Sequence, residues 1–259
     1  VFDATGAAPG AYEAVLTLTT DEDSAFGAGG QQFVVNLSSS VLPPSSFQLL
    51  GKRLFYNNSK YDANSTAINS THDGAIATDK FALLPGVGAA TFANVSSYSR
   101  GINGIMLDTS NGSAITVSDF VFKIGNNNAP SSWAAAPAPV SFSVRAGAGV
   151  SGSDRVEIVW TDNAIQKQWL EVIVLANTNT GLLQKPGYPA GQADVFFWGH
   201  AFADSGQGDS ATQAVVNATD ELGARNNPKS LFNNISTTNV FDYNRDGAVN
   251  TSDQLLARN

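Results

Sequence analysis

The chain has 259 residues, with 14 Lys+Arg against 22 Asp+Glu and a formal net charge of −8. A chain so poor in basic residues lacks the electrostatic footprint that nucleic acid or an anionic membrane surface selects. It carries no Cys, two His (His72 and His200) and one Met (Met106), which excludes disulfides, thiolate metal sites, iron–sulfur clusters and cysteine nucleophiles. At 42% hydrophobic residues it can bury a real core, and no apolar run approaches the roughly 20 residues of a membrane helix. The start, Val1-Phe2-Asp3, has neither an initiator Met nor a basic, apolar leader. It reads as a mature or trimmed end; with the signal peptide taken as already removed, an extracellular or cell-surface location is expected.

Short segments rich in Val, Ile, Phe and Thr, punctuated by Gly, Asn, Ser and Pro, predict strands at 12–19, 32–37, 49–56, 75–84, 91–95, 102–107 and 115–124. Phe33, Val35 and Leu37 share one face at period two, as do Val140, Phe142 and Val144, then Val156, Ile158 and Trp160, then Leu170, Val172, Val174 and Ala176. At Ser118-Asp119 the apolar parity switches, which predicts a bulge or bend. The whole predicts a mainly β protein, with an antiparallel β-sandwich of jelly-roll or immunoglobulin-like type over residues 1–192. A boundary is expected at the Pro/Gly cluster of residues 185–191, with a small α module over 193–259.

Near the C-terminus, Asn217-Ala218-Thr219-Asp220-Glu221-Leu222-Gly223-Ala224-Arg225-Asn226 is echoed by Asn250-Thr251-Ser252-Asp253-Gln254-Leu255-Leu256-Ala257-Arg258-Asn259. Such a repeat marks a duplicated supersecondary unit. From Asp242 onward, side-chain oxygens fall at positions 1, 3, 5, 9 and 12 of a 12-residue loop: Asp242, Asn244, Asp246, Asn250 and Asp253. Gly247 stands where that loop turns sharply, and the Ala248 carbonyl supplies a further oxygen. This spacing wraps oxygens around Ca²⁺ at about 2.4 Å. Val249 is expected to join a pairing between the two loops. In the first copy Asn217 and Asp220 fit the last two ligand places, and Asp209, Ala211 and Gln213 would fill the earlier ones. A longer loop opening at Asp204 would bring its carboxylates in by another route. One Ca²⁺ is thus expected in the second loop, and a second Ca²⁺ in the first loop stands against a turn in which Asp220 merely starts a helix.

Two such loops, each followed by an Asp-x-Leu-x-Ala-Arg-like helix, resemble a type I dockerin, the duplicated calcium-binding module of bacterial secreted proteins. The resemblance covers residues 194–259. It implies loop-plus-exiting-helix units that dock on cohesins, themselves β-sandwiches. The residues it points to are Ala218, Thr219, Arg225 and Asn226, then Thr251, Ser252, Arg258 and Asn259; Thr219, Arg225, Ser252 and Arg258 are the contacts expected to matter. The implied partner is a cohesin-like domain; because the chain carries both a docking tail and a β-sandwich, the alternatives are the sandwich of a neighbouring copy, where the contact would propagate head to tail into a filament or surface layer, and the chain's own sandwich, on which the tail would fold back.

Catalysis is not expected. His72 in Ser70-Thr71-His72-Asp73-Gly74 reads as a surface turn without a nucleophile elbow. Glu157 and Glu171, on strands expected to be neighbours, read as a solvated sheet face rather than a glycosidase pair. Asp21-Glu22-Asp23 is an acidic turn that would at most bind a further cation. His200 is expected to be packed beside the calcium module. The competing expectation is a polysaccharide-binding module displayed through the docking segment, with Phe55, Tyr56, Tyr61, Tyr98 and Trp133 as stacking platforms and Trp160, Trp169 and Trp198 in the core.

Overall fold

Alternation of apolar and polar residues gives each strand one face for a core, and the strands pair accordingly. The structure is a computed structural model that describes residues 10–19, 32–41, 48–110, 112–177, 179–180, 182, 192–210 and 212–258. They fall into two units, within Val1–Ser46 and Phe47–Asn259. In the first, β1 (Gly10–Thr19) and β2 (Gln32–Val41) form an antiparallel hairpin in register from Gly10↔Val41 to Thr19↔Gln32. The acidic turn at Asp21–Asp23, the Pro/Gly cluster at 185–191, Ala211 and Asn259 lie outside the described residues.

The second unit holds β3 (Gln48–Leu54), β4 (Val95–Ser96), β5 (Gly104–Ser110), β6 (Phe120–Gly125), β7 (Ala134–Ala135), β8 (Ser141–Arg145), β9 (Asp154–Val159), β10 (Trp169–Val174) and β11 (Asp194–His200). One sheet runs β4-β11-β10-β6-β7 and the other β3-β5-β9-β8. All pairings are antiparallel except β11 with β4. The sheets share one core: Leu54, Ile105, Leu107, Val156 and Ile158 from one, with Phe120, Leu170, Val172, Val174, Phe196 and Trp198 from the other. Gly125 lets the Trp133 ring lie flat on the sheet, because a Cβ there would stand 2.4 Å from it. No helix among the described residues is long and apolar enough to cross a membrane.

Several segments depart from the expected strands. Residues 75–84 contribute only isolated bridges, Phe55↔Ile76 and Leu83↔Phe197. Residues 92–94 form a 3-10 turn before β4. The parity switch at Ser118-Asp119 is a 3-10 turn over Val117–Asp119, its entry fixed by Asp119 accepting from the Thr116 amide at 2.8 Å. Asp194–His200, expected to open the C-terminal segment, is an inner strand of the larger sheet.

After β11 the chain forms α1 (Ala218–Asn226) and α2 (Thr251–Arg258). A second small core, Ala203, Ala224, Tyr243, Val249 and Ala257 with Phe202, Ile235, Phe241 and Leu256, lies between them. The Phe241 ring occupies the space a side chain at Gly223 would need. Val249 is buried in that core with Ala203 and Ala224, and its backbone pairs with Lys229 through hydrogen bonds of 2.8 and 3.0 Å.

Candidate metal centre

The two loops repeat one hydrogen-bond pattern. In the second, Asp253 Oδ1 accepts from the Tyr243 amide at 2.8 Å and its Oδ2 from the Asn250 amide at 2.9 Å. Asn250 Oδ1 in turn accepts from the Ser252 amide at 2.7 Å. In the first, Asp220 Oδ1 accepts from the Ser205 amide at 2.9 Å, its Oδ2 from the Asn217 amide at 2.8 Å, and Asn217 Oδ1 from the Thr219 amide at 2.7 Å. Ser205 therefore matches Tyr243, and Asp204 stands where Asp242 stands. The Asp204 opening, not the Asp209 one, repeats the geometry of the second loop. Gln213 is exposed, and its carbonyl pairs with Ser210 in a local hairpin. Asp209 is half-buried and accepts from the Val215 amide at 2.8 Å.

In the second loop Asp242 and Asp253 are fully buried, while Asn244, Asp246 and Asn250 are half-buried. Asp242 gathers the chain about itself, accepting from the amides of Asp246 and Gly247 at 3.1 Å each. Asp246 accepts from the Ala248 amide at 2.8 Å and Asn244 from the Asp246 amide at 3.0 Å. Gly247 has φ +81°, which a side chain disfavours. A groove of about 420 Å³, lined by Asn58, Arg100, Asn244, Asp246, Ser252 and Leu255 among others, opens beside the loop.

Burial pushes the Asp204 and Asp242 carboxyls up to about 6 and raises Asp253 as well. Asp204 Oδ2 is buried without any hydrogen-bond partner, a costly state for a carboxylate unless a cation meets it. No Lys, Arg or His among the described residues forms an ion pair with Asp204, Asp209, Asp220, Asp242, Asp246 or Asp253. The donors are all hard oxygens, which suits Ca²⁺ or Mg²⁺ and not a softer metal. Among the described residues no three His, Cys, Asp or Glu side chains form a metal-ligand group by themselves, so the Asn amides and the Ala248 carbonyl would have to complete the shell.

The residues expected to meet a partner are all exposed: Thr219 and Arg225 on α1, Ser252 and Arg258 on α2. Arg258 reaches Glu221 Oε1 at 2.8 Å, and Arg225 pairs with the same oxygen. One carboxylate thus holds two guanidinium groups side by side across the helix pair.

The body contains a second assembly of charges that sequence reasoning missed. The register of β3, β5, β9 and β8 puts Arg53, Asp108, Arg155, Glu157 and Arg145 on one face, opposite to Val156 and Ile158. His72 and Asp73 lie against that face. Asp108 accepts from Arg155 at 2.7 and 3.0 Å and from Arg53 at 2.9 Å. Asp73 bridges Arg155, at 2.8 Å, and Arg145. Arg145 donates to Glu157 at 3.0 Å, and Glu157 closes on His72 Nδ1. His72 is therefore fully buried and not in a surface turn. Burial alone would depress it, but the hydrogen bond and charge of Glu157, with Asp62 4.0 Å from Nε2, outweigh that and raise it. The arginines hold Asp73 and Asp108 below the usual carboxylate range despite burial. Glu157 and Glu171 lie on different sheets, and Glu171 pairs with Lys123 at 3.4 Å. Both are buried, so neither belongs to a solvated sheet face.

His200 is the opposite case. It accepts from the Lys167 amide at 2.8 Å through Nδ1 and meets the Tyr98 carbonyl at 2.8 Å through Nε2; burial pushes it down to about 4. Of the aromatic platforms, Phe55, Tyr56 and Tyr98 are in the core, with Trp160 and Trp198. Tyr61, Trp133 and Trp169 are half-buried, and Trp133 packs edge-on against Phe197. No protein-family model matches this chain, and no curated protein or solved structure was found similar to it.

Proposed function

We propose that this is a non-catalytic extracellular or cell-surface assembly protein: a β-sandwich body carrying a calcium-stabilised, dockerin-like segment that docks on a β-sandwich. The observation that carries the reading is the set of buried loop carboxylates that form no ion pair with a Lys, Arg or His among the described residues. Asp242, Asn244, Asp246, Asn250 and Asp253, with the Ala248 carbonyl, would hold one Ca²⁺. Asp204, Asp209 and Asp220 would hold another, with the unpartnered Asp204 Oδ2 as the oxygen most in need of it. Bound calcium would supply the missing positive charge and fix the loops from which both helices start.

Docking would use Thr219, Arg225, Ser252 and Arg258, which present hydroxyls and guanidiniums to carbonyls or carboxylates of a partner. The partner is a neighbouring copy's sandwich or a cohesin-like domain; with a neighbouring copy the contact is heterologous and grows as a filament or surface layer. Isothermal titration with Ca²⁺, followed by light scattering over a range of protein concentrations, tests both halves. Heat from one or two sites and calcium-dependent growth in mass are expected. No calcium heat sinks the metal assignment. A calcium-loaded monomer at the highest concentration sinks self-assembly and leaves a foreign partner.

A further inference from the structure

The second loop is not a free-standing turn, because it is threaded into the end of the body. Arg245, in the loop's first half, is 2% exposed. Its guanidinium lies over the Tyr56 ring, 4.3 Å from the centroid, and donates to Tyr56 Oη and Ser97 Oγ at 3.1 Å each. The same group donates to the carbonyls of Asn239 and Asp242. Two body amides reach the loop: Lys60 N–H donates to the Arg245 carbonyl at 3.0 Å, and Ser99 N–H to the Tyr243 carbonyl at 2.8 Å. Tyr61 Oη donates at 2.8 Å to Oδ2 of Asp242. The Lys60 side chain fills the space above Gly247, where a Cβ would stand 2.3 Å from it.

We infer that the body is itself a partner of the calcium segment, docked in cis, and that an ion in the second loop acts as a clasp on the body through Arg245 and Tyr61. A buried guanidinium has few ways to remain satisfied once its anchors move. If the loop loses its shape, Arg245 loses the Asp242 carbonyl and Tyr61 loses the Asp242 carboxylate, the nearer of its two acceptors, the other being the Ser236 carbonyl at 3.1 Å. The Tyr56–Ser97 end of the core is then left with an underbonded cation. Calcium binding and body stability are in this way two sides of one equilibrium. This inference rests on the calcium reading above, and its failure can be told apart from the failure of that reading.

All four tryptophans, Trp133, Trp160, Trp169 and Trp198, precede the loops, so tryptophan fluorescence reports the body alone. The experiment follows thermal unfolding of the full chain by that signal, with chelator and with Ca²⁺ at about a hundredfold over its Kd, beside calorimetric titration. Coupling predicts that calcium raises the body's Tm by about 5–10 °C. Arg245→Met should still take up calcium while losing most of that rise, and Tyr61→Phe should lose a smaller part of it. If Arg245→Met is unfolded, Tyr61→Phe, which removes one hydroxyl, carries the test. Calcium heat with an unmoved tryptophan transition overturns the clasp and keeps the calcium sites. Absence of calcium heat overturns the calcium reading and the clasp with it.

Discussion

Two groups of buried carboxylates in this molecule are neutralised in opposite ways. Against the β3-β5-β9-β8 sheet, the buried Asp108 and Glu157 and the half-buried Asp73 meet Arg53, Arg145, Arg155 and His72 directly. In the C-terminal loops, Asp204, Asp220, Asp242 and Asp253 are as buried as Asp108 and Glu157, and meet amides and hydroxyls but form no ion pair with a described residue. The first arrangement carries its cations in the sequence; the second, on the calcium reading proposed above, would take them from solution. The same desolvation penalty therefore makes one region self-sufficient and would make the other ion-dependent.

The sharpest way to test that contrast is to break one member of each group. Asp108→Ala strips the acceptor from Arg155 and Arg53 and leaves a buried guanidinium with only Asp73, so it should cost about 3–5 kcal/mol. That loss, measured by denaturant unfolding, should be the same with chelator and with calcium. Asp253→Ala removes the acceptor for the Tyr243 and Asn250 amides, a cost of about 3 kcal/mol. Here the deficit should widen when calcium is present, because the wild type gains from the ion and the variant does not. Equal deficits in both conditions would mean that the loops, like the body, need nothing from solution.

Much of this was legible in the chain. The second loop could be read because ligand spacing is a local property: Asp242, Asn244, Asp246, Asn250 and Asp253 lie within 12 residues, and the fold keeps them together. The first loop was harder, because its insertion displaces the opening carboxylate from Asp209 back to Asp204, and only the Ser205–Asp220 hydrogen bond reveals the register. The strands with clean alternation, such as Val156-x-Ile158 and Leu170-x-Val172-x-Val174, fall where periodicity puts them. Residues 75–84 misled because an apolar run says nothing about whether a neighbour's amides are free to pair. The charged network was invisible, since Arg155 and Glu157 look solvent-facing by alternation. What buries them is His72 and Asp73, more than 80 residues away in sequence. Arg245 was hidden for the same reason: its partners Tyr56 and Ser97 are contributed by the body.

The two histidines sharpen the comparison through pH. Against burial, which lowers it, the hydrogen bond and charge of Glu157 and the charge of Asp62 raise His72. A base whose folded pKa is raised contributes stability that is complete below its unfolded value, near 6.5, and is lost as pH rises through the folded value. His200, depressed to about 4, works in the other direction. Its contribution is complete above about 6.5 and falls away as pH drops toward 4, by up to about 3 kcal/mol. The two histidines therefore contribute opposite limbs, His72 a loss on the alkaline side and His200 a loss on the acid side. His72→Gln should flatten the alkaline limb and His200→Gln the acid limb, as read by Tm across the pH range. An alkaline limb that survives His72→Gln would show that His72 is neutral in the folded chain.

The smallest effect on stability, and the largest expected on assembly, belongs to the exposed Arg225 and Arg258 with the half-buried Glu221 between them. Solvent-facing ion pairs contribute little because water screens them and the long side chains lose freedom when held. Arg225→Gln with Arg258→Gln should leave Tm and calcium uptake where they were. The same pair of changes removes both guanidiniums from the surface that α1 and α2 present together, leaving Glu221 as a bare negative charge. If that surface meets carbonyls or carboxylates of a partner sandwich, the double variant should remain monomeric by light scattering at concentrations where the unchanged, calcium-loaded chain grows. Added salt should weaken growth of the unchanged chain in parallel, since exposed charges act over only about 8 Å at physiological ionic strength. Growth that persists in the double variant, or that ignores salt, would place the contact on another face and leave the arginines as surface charges of the helix pair.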